Sequence, residues 1–300
     1  DSAERSRGGK GRRLILVTGS SGFIGSHLVD RLSQKHDVMT LDLKPSDWQV
    51  DIRRHADLRA LCRYPIKKVV HLAALAGVRP SLERPDEYFD TNVNGTLNLL
   101  RSLPQIDQFV FASSSSVYGN IPTPFHEDAP LRPSSPYAAS KVAGEALCSA
   151  YSQMNGVPTA CLRFFTVYGP RQREDMAIPK FLKAIREKKP ITLYGTPSRD
   201  FTHVSDIVDG IEAVLNQKDP APYEVFNLGS GEMTSVYHLA RMLEDITGIP
   251  AQLEYEDGPE GPDWTLADIS KARKVLGYAP KTNMRKALEE YVALTEPVHA

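Results

Sequence analysis

The run Leu14–Thr18 passes straight into Gly19-Ser20-Ser21-Gly22-Phe23-Ile24-Gly25, and that turn passes straight into a segment with Phe23, Ile24, Leu28, Val29 and Leu32 on one stripe. A short apolar run, a glycine turn and a 3.6-period segment read as strand, tight turn and helix. Such a unit needs one glycine for the turn, one for close backbone approach and one for helix–strand packing. It also presents the free N–H groups of a helix N-terminus to an anion such as a phosphate. A chain that begins this way is constrained to a parallel sheet with helices on both faces.

The rest of the front half keeps that rhythm. Residues 38–41, closed by Asp42, then 68–72, 108–112 and 160–165 read as nearly all-apolar strands, as expected for strands covered on both sides. Helices are expected over 22–32, about 87–100 and about 137–153. Between 121 and 136 lie Pro122, Pro124, Pro130, Pro133 and Pro136, so this stretch reads as a loop, with Pro136 suited to a helix first turn. After Tyr168-Gly169-Pro170 the alternation weakens. Short helices at 178–188, 235–247, 268–276 and 283–295, and strands at 191–194 and 251–256, suggest a smaller second lobe. Phe226-Asn227-Leu228 reads as one more core strand. The fold class is therefore α/β: a Rossmann-type, doubly wound parallel sheet with a smaller C-terminal α/β substrate lobe. The expected division is a disordered leader or expression remnant at 1–13, a nucleotide-binding domain at 14–169 and a substrate lobe at 170–298. Residues 204–230 are expected to return to the sheet.

Composition narrows the partners. The 300 residues carry a net charge of −1, so no global field recruits nucleic acid or an anionic membrane surface. The longest apolar stretch, 69–78, is far short of a membrane span. Cys62, Cys148 and Cys161 are odd in number and widely spaced, which reads as buried thiols in a reducing, cytoplasmic setting. The histidines show no metal-ligand spacing, and no metal is expected. His71 reads as a packed core residue.

Three features carry chemistry. Asp42 ends the second strand, where a carboxylate accepts both ribose hydroxyls of a dinucleotide and repels a 2′-phosphate, favouring NAD over NADP. Lys44 softens that repulsion. Tyr137 and Lys141 are four apart on a helix and share a face. For a phenol of pKa near 10 to act as a base at neutral pH, its pKa must fall by about three units, roughly 4 kcal/mol. The Lys141 ammonium and an oxidised nicotinamide together are expected to supply that. Finally, Ser113-Ser114-Ser115-Ser116-Val117-Tyr118-Gly119 follows the 108–112 strand, which points hydroxyls into the cleft.

With these residues in view, the chain resembles the extended short-chain dehydrogenase/reductase family, within it the nucleotide-sugar epimerases, and most closely the UDP-glucuronate 4-epimerases. The resemblance covers about 14–290. It is strengthened by His71-Leu72-Ala73-Ala74, Ala76-Gly77-Val78-Arg79, Asn92-Val93-Asn94-Gly95-Thr96, the 164–173 segment, the 199–206 segment and Ala267-Asp268. It implies NAD as cofactor, held by Gly19, Gly22, Phe23, Ile24, Gly25, Asp42, Asp51, Ile52, Leu72, Ala73, Ala74, Asn92, Tyr137 and Lys141. Asp51 and Ile52 would border the adenine. It implies Tyr137 as base, Lys141 as its partner and Ser114 as the catalytic hydroxyl, with Arg199 on the sugar-nucleotide phosphates. It also implies a homodimer through helices matching 87–100 and 137–153. Inversion at C4 of a UDP-sugar would follow through a transient 4-keto sugar with no net redox change.

The choice of sugar turns on Thr166, Arg173, Ser115 and Ser116. Most epimerases of this type carry Asn where Thr166 stands, and the smaller side chain leaves room. Arg173 can pair with a C6 carboxylate. Its other reading is a solvated loop charge paired with Glu174 or Asp175. The expected substrate is therefore UDP-glucuronate, converted to UDP-galacturonate. UDP-glucose/UDP-galactose epimerisation is one rival. UDP-glucuronate decarboxylation is another, although related decarboxylases carry an acidic residue where Ser116 stands. A non-catalytic NAD-binding sensor is the rival of a different class. Relatives carry a Gly-Asp-Val element where this chain has 258–264, so no contact is transferred there.

Overall fold

In the computed structural model, which describes residues 13–103, 105–195, 197–257 and 264–295, Leu14–Thr18 forms the central strand β1. The expected leader at 1–12 and the 258–263 segment lie outside the described residues, as does the end of the lobe beyond 295. Around β1 run β2 (Asp37–Asp42), β3 (Trp48–Gln49), β4 (Ile66–His71), β5 (Gln108–Ser114), β6 (Thr159–Phe164) and, after the short β7 (Thr166–Tyr168), β8 (Ile191–Tyr194), β9 (Ser198–Arg199) and β10 (Phe201–His203), the edge strand β11 (Tyr223–Leu228). The seven-stranded sheet has the order β11-β6-β5-β4-β1-β2-β3, and its neighbours pair in parallel. The winding reverses between β1 and β4, which opens the crevice where such sheets bind ligands. Register decides what lines that crevice. Thr18 lies opposite Leu41 and His71, so Gly19, Asp42 and Leu72 leave the sheet at one level. β5 runs on past the end of β4, carrying Ser113 and Ser114 above the edge beside Arg163 and Phe164.

Helices α1 (Phe23–Leu32), α2 (His55–Leu58), α3 (Val78–Glu83), α4 (Pro85–Phe89), α5 (Gly95–Ser102) and α6 (Pro136–Asn155) belong to the front half. One apolar cluster joins Ile15, Leu28 and Val110 to Phe226, and a second joins Leu16, Leu99 and Phe109 to Cys148. Local chemistry sets the limits of α6. Ser135 accepts the Ala138 N–H at 3.1 Å, Pro136 fills the first turn, and Gly156 closes the helix with φ 66°. The single helix expected over 87–100 is instead α4 and α5 joined by a π turn at Asp90–Asn94. The extra residue in that turn brings Asn92 against the Leu75 main chain, an arrangement that a regular 3.6-residue pattern does not announce.

The C-terminal part contains α7 (Ala177–Arg186), α8 (Val204–Leu215), α9 (Val236–Thr247), α10 (Ser270–Leu276) and α11 (Met284–Leu294), with β12 (Thr234–Ser235), β13 (Leu253–Glu256) and β14 (Trp264–Thr265). Tyr168, Phe181, Leu239 and Leu288 share its own apolar cluster. α8 and β11 instead join the cluster of the large sheet, through Ile207, Ile211, Phe226 and Leu228. Asp200 ties the two parts together. This fully buried carboxylate accepts from Ser230 N and Oγ (both 2.7 Å), Thr202 Oγ1 (2.9 Å), Gly231 N (3.0 Å) and Ala267 N (3.2 Å).

Candidate active site

The glycine turn forms a cradle that no side chain can enter. Gly19 has φ 68°, and a Cβ there would lie 2.7 Å from Ala73 N. At Gly25 a Cβ would lie 2.0 Å from Gly19 O. The turn therefore packs directly on the end of β4 and on the first turn of α1. No side chain caps α1, so its first N–H groups are left for a ligand. The Ser20 hydroxyl is buried in the same turn without a partner among the described residues. A dinucleotide pyrophosphate fits these donors. Asp42 Oδ2 accepts the Ser21 N–H at 2.9 Å and Oδ1 accepts the Lys44 N–H at 3.0 Å, which aims the carboxylate across the crevice mouth.

A cavity of about 330 Å³ opens there, lined by Gly19, Gly22, Asp42, Asp51, Ile52, Leu72, Ala73 and Ala74, with Ser21, Arg53 and Thr91 among the others. The sequence-expected residues of the adenosine half thus converge on one space. Phe23, Ile24 and Gly25 form the helix start beside it. Arg53 takes both oxygens of Asp51 and holds that carboxyl below its ordinary range. A larger, shallow cavity of about 550 Å³ lies by His126, Tyr223 and Lys271 and holds none of the expected residues.

Behind the cradle, His71 is locked as a neutral ring. Ala73 N–H donates to Thr18 Oγ1 (3.2 Å), which lies 2.7 Å from His71 Nδ1. His71 Nε2 lies 2.9 Å from Thr96 Oγ1, which donates to Asn92 O (2.6 Å). Because the Thr96 proton is used on Asn92, Nε2 donates to Thr96 and Nδ1 accepts from Thr18. Burial lowers His71 from 6.5 to about 3. The unfolded state then binds a proton below pH 6.5 that the folded state refuses, so stability falls as pH falls towards 3. The expected loss between pH 7 and pH 5 is about 2 kcal/mol from this residue. Urea unfolding at the two pH values, compared with His71→Gln, reads it: the variant should lose the slope, and an unchanged slope rules the assignment out.

Asn92, expected at the cofactor, is held within the protein. Its amide donates to Leu75 O (3.0 Å) and Ser140 Oγ (2.9 Å) and accepts Leu75 N–H (2.8 Å), so both amide protons are used. It acts on the site by pinning the loop after β4 to α6.

The proton-handling group comes together across β5 and α6. Ser114 Oγ lies 3.0 Å from Ser116 Oγ and accepts the Ser116 N–H at 3.2 Å. Tyr137 is half-buried, with its ring edge-on to Tyr88 at 6.1 Å between centroids. Its phenol sits deep enough that burial pushes the pKa up, while the Ser114 hydroxyl and the Arg173 charge draw it down. In the sequence expectation the Lys141 ammonium and an oxidised nicotinamide lower the phenol together. Lys141 is buried, donates to Ala112 O at 2.8 Å and lies 5.9 Å from the Tyr137 ring centroid, and burial lowers its own pKa to about 8. In this state the lysine anchors α6 to β5. The lowering that a phenolate base needs remains an expectation of this ammonium together with the cation of bound nicotinamide.

Arg173 reaches the same place from the other side. Its Nη1 donates to Ala76 O (3.1 Å), which also accepts the Tyr88 hydroxyl (3.0 Å). Its Nε and Nη2 grip Asp175 at 2.8 and 2.9 Å, the pairing held open in the sequence reading. Ser115 and Ser116 are half-buried in the turn that follows β5. Thr166 and Arg199 lie on the short strands β7 and β9. Thr166 N–H donates to Asp200 O (3.0 Å), and Arg199 pairs in register with Thr234 and Thr265.

The sequence reading missed the buried polar cluster beneath the serines. Arg163 donates to both oxygens of Glu145 (2.9 and 2.8 Å) and to the Tyr118 hydroxyl (2.9 Å). Ser113 Oγ donates to Glu145 (2.5 Å), and Tyr118 donates to Asn227 (2.7 Å). Only the pairing of β5, β6 and β11 brings these residues together, and no local spacing marks them.

Comparison with known proteins agrees with this geometry. Residues 15–229 match the model of the NAD dependent epimerase/dehydratase family. The chain is 40% identical to an uncharacterised UDP-glucose epimerase, YtcB, of Bacillus subtilis, covering 93% of this chain and 96% of that protein. It is 39% identical to a UDP-glucuronate 4-epimerase of Thermodesulfobacterium geofontis, covering 92% and 94%. The crystal structure of a UDP-glucuronic acid 4-epimerase from Bacillus cereus, in complex with UDP-glucuronic acid and NAD, superposes with a TM-score of 0.87 at 36% identity, over 94% of this chain and 100% of that one. The glycine cradle, the Asp42 crevice and the tyrosine–lysine helix are thus those of a member of the NAD dependent epimerase/dehydratase family, to which this chain belongs.

Proposed function

We propose that this protein inverts C4 of UDP-glucuronate to give UDP-galacturonate. The observation that carries the uronate assignment is the Arg173 guanidinium, which shares Ala76 O with the Tyr88 hydroxyl beside the Tyr137 ring. In a pyranose the C6 carboxylate is borne on C5, next to the C4 hydroxyl that the base must reach. A cation beside the base therefore faces a carboxylate in a uronate and nothing charged in glucose. Similarity to a UDP-glucuronate 4-epimerase and to a structure holding UDP-glucuronic acid supports the same reading.

NAD⁺, which the Gly19–Gly25 turn and Asp42 would hold, would supply a reversible hydride acceptor for C4. The chain's own residues handle everything else. Tyr137 accepts the C4 hydroxyl proton and later gives it back. Ser114 hydrogen-bonds the same oxygen and holds it in line. Arg199 grips the diphosphate while the sugar turns over. Arg173, with the Ser115 and Ser116 hydroxyls, holds the carboxylate by hydrogen bonds away from alignment with the carbonyl π system, which restrains loss of CO₂ from the β-keto acid. Ser116 stands where an acidic residue would favour that loss.

A homodimer is supported by the exposed apolar residues Val78, Leu82, Phe89 and Leu97 along α3–α5. A reducing cytoplasmic setting is supported by the free Cys62, Cys148 and Cys161, of which Cys148 and Cys161 are buried as expected while Cys62, in the turn after α2, is exposed. No helix among the described residues is long and apolar enough to cross a membrane. Incubation with UDP-glucuronate and NAD⁺ is the test. UDP-galacturonate is the expected product, and UDP-xylose with CO₂ rejects the proposal. Arg173→Ala should cost about tenfold or more in kcat/KM for UDP-glucuronate. An unchanged value points to a neutral sugar instead.

A further inference from the structure

A guanidinium has five N–H donors, and three of those on Arg173 are in use. Asp175 takes Nε and Nη2 through both carboxylate oxygens, and Ala76 O takes Nη1. The two charged side chains are 43% and 53% exposed. Such a pair is weakly held, because water competes for both groups. The Met176 N–H donates to Arg173 O at 3.2 Å, so a tight turn keeps Asp175 at hand whatever Arg173 does. The guanidinium that faces the reacting sugar thus already has a carboxylate on it, supplied by its own loop.

We propose that Asp175 is an exchangeable counter-ion that sets discrimination between charged and neutral sugar nucleotides. It stays on Arg173 when the sugar carries a hydroxymethyl group, and it swings to solvent when a C6 carboxylate takes its place. The inference rests on the reading of Arg173 as the carboxylate's partner. The uronate's gain is then the difference between two ion pairs, not the whole of one. The chain therefore holds UDP-glucuronate less tightly than a lone arginine would. In exchange, the cation is never left bare beside the base when a neutral sugar is bound.

The exchange has a signature that a merely structural Asp175 lacks. One ion pair breaks as another forms, so this contact adds little salt dependence to uronate binding. Removing the competing charge makes the new pair a net gain, and one that salt screens. The test is calorimetric Kd measurement on NAD⁺-saturated protein in a Tyr137→Phe background, which prevents turnover. UDP-glucuronate and UDP-glucose are titrated at low and at high salt. Asp175→Asn keeps the shape and removes the charge. It should tighten UDP-glucuronate relative to UDP-glucose by about fivefold at low salt, with the advantage shrinking at high salt. A ratio that moves the other way overturns the proposal and makes Asp175 a positioning residue. An unchanged ratio in Asp175→Asn, alongside loss of uronate preference in Arg173→Ala, overturns it while leaving the Arg173 reading intact. No change of ratio in either variant rejects the Arg173 reading itself.

Discussion

Tyr137→Phe is expected to lower kcat for the interconversion of UDP-glucuronate and UDP-galacturonate by about 10²–10⁴-fold, the range for removal of a positioned base. The substitution deletes one oxygen and leaves the ring, whose edge-on contact with Tyr88 persists. The cradle, Arg199 and Arg173 are untouched, so the Kd for UDP-glucuronate should stay near that of the parent protein. Loss in kcat without loss of binding is the pattern of a group that acts only as the proton moves. The pH profile adds a second readout. Burial holds the free phenol above its ordinary value, so the cofactor-bound enzyme should titrate well below the cofactor-free one. A fall in kcat of less than tenfold would remove Tyr137 from the proposed mechanism.

The largest stability effect is expected at Arg163. Arg163→Met leaves the Glu145 carboxylate buried with its two-pronged partner gone, which costs about 3–5 kcal/mol. Glu145 and Arg163 have side chains only 5% and 4% exposed, so water cannot replace the lost contacts. The damage should also reach the active site. Glu145 is one helical turn beyond Lys141 on α6, and through Ser113 it ties that helix to the end of β5. Urea unfolding of Arg163→Met, of Glu145→Leu and of the double variant forms a closed cycle. The double variant should recover much of the loss, since two apolar groups leave no orphaned charge. A single-variant cost below about 1 kcal/mol would mean that water reaches the pair after all.

The front of the site was legible because it is written locally. Gly19, Gly22 and Gly25 are needed at fixed offsets between a strand and a helix, and Asp42 closes the very next strand. Tyr137 and Lys141 share a face by helical spacing alone. Two particulars were not legible. The π turn at Asp90–Asn94 is a one-residue insertion in a regular pattern, and it brings Asn92 onto the main chain of Leu75. The anchoring of α6 to β5 through Lys141 Nζ and Ala112 O depends on which helix packs on which strand, and no local spacing marks it.

Period and turn chemistry act over a few residues, so the chain alone determined the alternating α/β plan, the dinucleotide cradle and the residues fit to move a proton. Depth and partnership depend on which strands lie side by side. Only the tertiary structure therefore decided that His71 is a neutral link between Thr18 and Thr96, and that Arg163 and Glu145 neutralise each other at the end of β5.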